Sequence, residues 1–146
     1  MQKIVDAQNY LAGYLSIRQL SFGYLDMAWH IQEKPFGGNV KEFEENASAK
    51  TRIFPAIEEV CMSTQFSHLF AGGYAAGYYS YKWAEVLDAD AFSVFKEKGL
   101  FNKEVAQSFR ENILEKGGTE HPMVLYKRFR GHEPTVDALL ERSGLR

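Results

Sequence analysis

The sequence has few of the residues on which a self-contained disulfide or metal site depends. Its 146 residues include one cysteine, Cys61, so no internal disulfide can form and no group of thiolates can bind a metal. None of the four histidines has a second histidine four positions away, the spacing that two metal ligands on one helical face require. The His132-Glu133 pair is followed by Pro134 rather than by a zinc-peptidase helix. We therefore predict no metal ion bound by this chain alone.

Clustered positive charge and long apolar runs are also missing. With a net charge of −2, the chain offers no broad basic surface for phosphate backbones, so we predict no nucleic-acid partner. The short basic run at Lys127, Arg128 and Arg130 is typical of the charged end of a helix. No window is long enough to span a membrane, and Asp6 and Asn9 interrupt the apolar core that a signal peptide needs. We expect no membrane partner and a cytoplasmic location, with a periplasmic one left open.

Strand patterns are absent as well. No alternating apolar and polar run of useful length occurs, whereas apolar residues recur at spacings of three and four. This periodicity predicts an all-α fold, and the chain length predicts a single helical domain over residues 1–146. We expect one or two helices in the first thirty residues, with a bend at Gly13 or Gly23. A short helix over residues 40–50 and a loop with short helical turns over residues 51–70 follow.

Glycine and proline predict the element boundaries in the second half. A helix is expected to start directly after Gly72 and Gly73. Asp88 and Asp90 are predicted to cap a separate helix that ends at Gly99. Three further helices are predicted, starting near and ending before these residues in turn: Asn102 and Gly117, Thr119 and Gly131, Pro134 and Gly144.

What the sequence does have is aromatic residues, at 14%, with four tyrosines between positions 74 and 81. On a helix, spacings of four and three place Tyr74, Tyr78 and Tyr81 on one stripe. Their phenols have an ordinary pKa of about 10, so at neutral pH each can donate a hydrogen bond. A neutral donor directed at a developing oxyanion stabilises acyl-transfer transition states. His68 could add a second donor or carry a proton.

Two interpretations of this segment stay open on the residues alone. Gly72 and Gly73 permit backbone conformations that side chains exclude, so the segment could close over a ligand and open again. Aromatic residues at helical spacing are, however, most often part of a core. The pattern fits either a ligand-contacting site or ordinary packing.

Four blocks of sequence carry a resemblance to a known enzyme family. They are LDMAWH at residues 25–30, HLFAGGYAAGYYSYKW at 68–83, FRENILEKGG at 109–118 and KRFRGHEPTVDALLERSGL at 127–145. In this order they closely resemble the C-terminal region of the thimet oligopeptidase and peptidyl-dipeptidase family of zinc metallopeptidases, with the nearest likeness to bacterial peptidyl-dipeptidase. The resemblance runs from about Lys3 to Leu145.

The resemblance implies a mostly helical, two-lobed peptidase whose deep channel admits short peptides. In that family a zinc ion, held by an HExxH motif and a downstream glutamate, activates water, and we expect all of these residues upstream of this chain. His68, Tyr74 and Tyr81 are implied to be catalytic, contacting the substrate carbonyl and the oxyanion. The implied substrate-binding residues, from a mobile loop and one further tyrosine, are Gly72, Gly73 and Tyr78.

The resemblance also implies that residues 1–146 are the C-terminal fragment of a larger catalytic domain. We expect short peptides as substrates and the zinc-binding part of the same enzyme as partner. The fragment alone is predicted to be inactive and to self-associate through apolar surface that the other lobe would cover. Two alternatives stay open: a stand-alone helical module that binds peptides without chemistry, and a piece that pairs in trans with a separate catalytic chain.

Overall fold

The computed structural model describes residues 2–146. Every regular element in this range is helical, without a strand, which confirms the all-α prediction. The chain divides into two compact units, a first unit of Met1–Trp83 and a second unit of Ala84–Arg146. No helix in residues 2–146 combines the length and the apolar character that a membrane span needs.

Two helices, α1 (Gln2–Gln8) and α2 (Ala12–His30), begin the first unit. The chain breaks between them at residues 9–11, where Leu11 adopts a left-handed conformation with φ of 58°. The prediction of two helices is therefore confirmed, but the predicted bend at Gly13 or Gly23 is wrong. Both glycines lie inside the continuous helix α2, and the break in helical conformation is at residues 9–11.

The third helix, α3, spans Val40–Ser48 with Asn39 as its N-cap, which agrees with the helix predicted over residues 40–50. The Asn39 side chain accepts hydrogen bonds from the backbone N–H groups of Lys41 and Glu42, which satisfies two donors that a helix start leaves unpaired. The loop with short helical turns is also confirmed. Its elements in chain order are a 3₁₀ turn at Ala49–Thr51, helix α4 at Met62–Gln65 and a 3₁₀ turn at Ser67–Leu69.

A half-buried acid, Glu44 on α3, caps the start of α4. The Glu44 carboxylate accepts the backbone N–H groups of Met62 at 3.0 Å and Ser63 at 2.7 Å, and the Ser63 hydroxyl at 2.9 Å. Ser63 in turn accepts a hydrogen bond from the Trp29 indole on α2 at 3.0 Å. Cys61, half-buried, lies with its sulfur 3.7 Å from the same carboxylate. This network joins three helices of the first unit.

Helix α5 is a single 19-residue helix over Ser80–Lys98, and it differs from the prediction at its start. The predicted start directly after Gly73 is wrong, because residues 74–79 form turns. Ala76 there adopts φ of 55°, a left-handed conformation that no α-helix contains. The tyrosines at 74 and 78 therefore precede the helix.

The predicted cap at Asp88 and Asp90 is also wrong, since both residues lie inside α5. Asp90 is buried, with 2% of its surface exposed, and a buried carboxylate needs hydrogen-bond donors. It accepts the Tyr126 hydroxyl at 2.6 Å and Arg130 Nε at 3.2 Å. Arg130 also donates to the Ser93 hydroxyl at 3.0 Å. Asp90 thus binds the side chains of Tyr126 and Arg130 instead of capping a separate helix.

In the rest of the second unit the predicted helix ends agree with the structure, whereas two predicted starts are wrong: the helices expected to begin near Thr119 and at Pro134 begin at Pro122 and Asp137. Gly99, Gly131 and Gly144 each come after the end of a helix, and all three have positive φ. The Asn102 side chain caps the next helix by accepting from two backbone N–H groups. The elements after α5 are α6 at Lys103–Phe109, a π-helical segment at Arg110–Leu114, α7 at Pro122–Arg130 and α8 at Asp137–Arg142.

Candidate functional site

The structure brings four of the sequence-predicted site residues together. This tyrosine cluster consists of His68, Tyr74, Tyr78 and Tyr81. The rings of Tyr74 and Tyr81 stack with centroids 5.2 Å apart, and Tyr78 lies 5.1 Å from Tyr81. The His68 imidazole lies 5.1 Å from Tyr74 and 5.5 Å from Tyr78. Only Tyr81 is helical, so the tyrosines meet through the turn at residues 74–79 and not through the helical stripe that the spacing predicts.

The tyrosine cluster rests on an apolar wall. Phe66 lies 5.3 Å from the His68 ring and 4.7 Å from the Tyr78 ring, and Phe22 on α2 lies 4.9 Å from Phe66. The cluster is not an enclosed core, because Tyr81 is 37% exposed and its three neighbours in the cluster are half-buried. Aromatic faces with one exposed side form a surface that a ligand can reach.

The phenols of Tyr78 and Tyr81 are hydrogen-bond donors at neutral pH. The pKa of Tyr81 is raised above its ordinary value, chiefly by a hydrogen bond with Tyr74 and next by burial. Burial raises the pKa of Tyr78, and the nearby positive charge of Arg18 partly offsets that rise. A raised pKa keeps the phenol protonated, so each hydroxyl retains the hydrogen that an oxyanion would accept.

Arg18 lies at the edge of this aromatic group. Its guanidinium carbon is 4.7 Å from the Phe22 ring centroid, a cation–π distance. Arg18 also lines a concave pocket of about 390 Å³ in the first unit, together with Tyr14 and Phe54, whose rings are 5.7 Å apart. The pocket has Arg52 on its wall as a second cation.

The predicted mobile loop, Gly72 and Gly73, directly precedes Tyr74 of the cluster. Gly72 and Gly73 have φ of 84° and 78°, a region where side chains are unfavourable. A Cβ on Gly73 would meet nothing within 4 Å, and one on Gly72 would meet Tyr74 at an ordinary 3.9 Å. Glycine is required here for backbone conformation and not for space.

Asp26 is the residue that sequence reasoning missed. It is completely buried on α2, and its two carboxylate oxygens accept the backbone N–H groups of Ala76 at 3.0 Å and Tyr78 at 2.9 Å. The one available signal was an acid between apolar Leu25 and Met27 inside a block that carries the family resemblance. Its partners are backbone groups some fifty residues away, which no residue pattern records.

The side chains of residues 2–146 include no group of three or more histidines, cysteines, aspartates or glutamates placed to hold a metal ion. These residues therefore do not fit a zinc site of their own. What the tyrosine cluster offers is a row of neutral donors beside an imidazole, on an apolar support and next to a glycine-rich segment. Such an arrangement can bind a peptide carbonyl and can stabilise negative charge on its oxygen.

The chain belongs to Peptidase family M3, whose model matches residues 1–145. It is 49% identical over its whole length to oligopeptidase A of Escherichia coli (strain K12), covering 22% of that protein. It is 46% identical to the probable cytosolic oligopeptidase A of Arabidopsis thaliana, with 99% of this chain and 21% of the relative covered. Dipeptidyl carboxypeptidase of Salmonella typhimurium is 38% identical, with 99% and 22% covered.

These relatives confirm the family that the four sequence blocks predict. Of the relatives named, the two oligopeptidases share more residues with the chain than the dipeptidyl carboxypeptidase does. The chain spans about a fifth of the length of the curated relatives that it matches.

Proposed function

We propose that this chain is the C-terminal portion of a zinc-dependent oligopeptidase or peptidyl-dipeptidase that hydrolyses short peptides. The convergence of three tyrosines and one histidine in a half-exposed cluster carries the proposal. The chain's coverage of about a fifth of each relative supports a longer parent. The proposed catalytic residues are Tyr81, Tyr74 and His68, and the proposed substrate-binding residues are Gly72, Gly73 and Tyr78.

The chemistry of these side chains is hydrogen-bond donation. When water adds to a peptide carbonyl, its oxygen gains negative charge, and a phenol placed against it stabilises that charge more than it stabilises the ground state. Tyr81 is the principal donor in this proposal, Tyr74 stacks against its ring, and His68 supplies a second donor or carries a proton. In the reaction the Tyr81 hydroxyl donates its single hydrogen to the oxyanion instead of to Tyr74. The zinc ion that the family implies would be held by another part of the enzyme.

Substrate entry in this proposal depends on the segment before the cluster. Two glycines in left-handed conformations allow the backbone to move over a bound peptide, and closure brings the phenols to the reacting carbonyl. Excluding water at that point strengthens each hydrogen bond to the oxyanion. We place the enzyme in the cytoplasm, supported by its similarity to the probable cytosolic oligopeptidase A of Arabidopsis thaliana.

The proposal is tested by Tyr81→Phe in the intact peptidase. Phenylalanine keeps the ring and removes one donor, so we expect kcat on a short peptide to fall about 100-fold or more, with a smaller change in KM. Tyr79→Phe is the matched control, because Tyr79 is an adjacent tyrosine that is 58% exposed and lies outside the cluster. Steady-state kinetics on both variants gives the answer; a Tyr81→Phe enzyme with unchanged turnover would refute the role.

A second test addresses the longer parent. An in-frame HExxH motif and a downstream glutamate in the coding sequence before Met1 would support the fragment proposal. A genuine translation start at Met1 would favour the stand-alone binding module instead. Restored zinc-dependent cleavage on mixing with a separate chain would favour pairing in trans.

The isolated chain is expected to self-associate. Large apolar side chains are exposed on both units, and uncovered apolar surface drives association. Light scattering over a range of concentrations measures this; a clean monomer at high concentration would contradict it. Examples that are about two thirds exposed or more are Ile4, Tyr10, Phe70, Phe101 and Leu114.

A further inference from the structure

Asp26 and His30 on α2 contact the chain on both sides of Gly72 and Gly73. We propose that they are positioning residues that set the geometry of the tyrosine cluster, so that loss of the Asp26 carboxylate lowers turnover without removing any group that touches substrate. The proposal rests on the proposed peptidase function of the cluster. The hydrogen bonds from the turn to Asp26 do not themselves depend on that function.

The Asp26 carboxylate binds the turn at two points. One oxygen accepts the Ala76 N–H at 3.0 Å and the other accepts the Tyr78 N–H at 2.9 Å. Two separate acceptors fix the orientation of the turn as well as its distance from α2. Because Asp26 is fully buried, water does not compete for these bonds, and hydrogen bonds to an ionised acceptor are the stronger kind.

The turn that Asp26 holds is one that the sequence does not favour locally. Ala76 has φ of 55°, a conformation that persists in L-residues only where the surroundings enforce it. The same turn is closed by hydrogen bonds from the Gly77 N–H to the Tyr74 carbonyl and from the Tyr81 N–H to the Tyr78 carbonyl. Fixing the amides of Ala76 and Tyr78 therefore fixes the backbone of all three tyrosines.

The turn also lies directly on α2. Gly23, one helical turn before Asp26, faces the backbone of Tyr79, and a Cβ at Gly23 would be 3.8 Å from the Tyr79 Cα. That distance is an ordinary van der Waals contact, so the turn packs directly against α2 one helical turn before Asp26.

His30 contacts both Asp26 and the chain on the N-terminal side of Gly72. Its Nδ1 lies 2.7 Å from the Asp26 carbonyl oxygen and 3.1 Å from an Asp26 carboxylate oxygen. Both oxygens accept, so Nδ1 carries the hydrogen and donates it, which holds the Asp26 side chain in place. The His30 ring lies 5.7 Å from that of Phe70, just before Gly72. The pair thus contacts the chain on both sides of the two glycines.

Asp90 in the second unit provides a comparison for a buried acid that serves packing. It is 2% exposed and accepts hydrogen bonds from the side chains of Tyr126 and Arg130, both on α7. No backbone N–H from a loop is among these partners. Asp90→Asn therefore removes a buried charge of the same kind without touching the glycine-rich segment.

The first experiment compares Asp26→Asn with Asp90→Asn in the intact peptidase. In Asp26→Asn the amide nitrogen faces one backbone N–H, so one anchor of the turn is lost while the shape of the side chain is kept. We expect kcat to fall about 10- to 100-fold, since a displacement of about 1 Å in a catalytic group has an effect of that order. Asp90→Asn should lower the melting temperature with kcat per folded molecule unchanged. Equal effects on kcat in the two variants would overturn the proposal.

The second experiment measures the anchor directly by hydrogen–deuterium exchange in the same proteins. Asp26→Asn should speed exchange in the fragment covering residues 74–79, and Asp90→Asn should leave that fragment unchanged. Unchanged exchange in Asp26→Asn overturns the proposal even if its kcat is low. Hydrogen–deuterium exchange does not depend on catalysis. It therefore tests whether Asp26 holds the turn even if Tyr81→Phe shows the proposed function to be wrong.

A double variant separates positioning from general damage. If Asp26 acts through the tyrosine cluster, Tyr81→Phe should lower kcat far less in the Asp26→Asn enzyme than in the wild type, because the phenol is already misplaced. Two fully additive effects on kcat would overturn the proposal. As the matched cycle, Tyr81→Phe should have its full effect in the Asp90→Asn enzyme.

Discussion

Each unit of this molecule contains an aromatic cluster, and the two clusters differ in polarity. In the first unit, the tyrosine cluster has three hydroxyls and an imidazole and is half-exposed. In the second unit, Phe95, Phe109 and Phe129 lie with centroids 5.2 to 6.5 Å apart and have no polar atom. Similar ring geometry therefore serves two purposes: hydrocarbon rings pack helices together, whereas rings with hydroxyls can also present donors to a ligand.

The buried aspartates show the same contrast. Asp90 accepts from side chains of α7, so its hydrogen bonds stabilise the packing of two helices. Asp26 accepts from backbone groups of a turn, so its hydrogen bonds fix the shape of a segment that is not itself helical. A buried acid is thus a sign of function only when the group that it holds is itself part of a site.

The largest effect on the packing side of this contrast is expected from Arg130→Met. Methionine leaves the buried Asp90 carboxylate without its cationic partner, and breaking a buried ion pair in this way costs about 3 to 5 kcal/mol. The guanidinium is well shielded, with 15% of the side chain exposed. Urea denaturation measures the loss, while turnover per folded molecule should stay constant. A free energy of unfolding within 1 kcal/mol of wild type would contradict the packing role.

A smaller effect, with a pH dependence, is expected from Tyr126→Phe. Losing the hydrogen bond to the Asp90 carboxylate should lower the free energy of unfolding at pH 7 by about 1.5 to 3 kcal/mol. Burial, followed by that hydrogen bond, raises the pKa of Tyr126 in the folded protein above its ordinary value near 10. The unfolded chain therefore releases this proton first, so the stabilisation is complete below about pH 10 and is lost as the pH rises further.

Denaturation curves at several alkaline pH values check the direction in which the free energy of unfolding changes with pH. The free energy of unfolding of the wild type should fall as the pH rises above about 10, and Tyr126→Phe should show a shallower fall because one of the contributing groups is gone. An identical slope in both proteins would show that Tyr126 is not shielded as its burial indicates.

The smallest effect on stability is expected from Gly73→Ala and Gly118→Ala, which sharpen the contrast between the units. Their φ angles are 78° and 79°, and a Cβ would meet nothing within 4 Å at either position. Each substitution should lower the free energy of unfolding by the same amount, about 1 to 2 kcal/mol. Only Gly73→Ala should lower kcat, since only Gly73 belongs to the segment proposed to close on substrate.

Unequal losses of stability in the pair would indicate that more than backbone conformation differs between the two glycines. Equal kcat values in the two variants would remove Gly73 from the proposed substrate-binding residues. Thermal denaturation and steady-state kinetics on short peptides provide the two measurements.

Most of the helices could be predicted because their signals lie within a few residues. Asn102 begins a helix as its capping side chain predicts, and Gly99 and Gly131 end helices in the left-handed conformation that glycine favours. The predicted start of α5 was wrong. Tyr74 and Tyr78 have helical spacing in the sequence, but distant Asp26 holds their backbone in a turn. Local spacing cannot report a hydrogen bond from another helix.

The sequence by itself determined the helical class, most element boundaries and the family, since periodicity, caps and ordered motifs are all written in residue types. It also indicated which tyrosines form the candidate site. Only the tertiary structure decided that they meet in a half-exposed cluster, that Asp26 holds their backbone, and that Asp90 serves packing. The physical reason is that backbone N–H groups are chemically identical along the chain, so the fold alone selects which of them a buried carboxylate will bind.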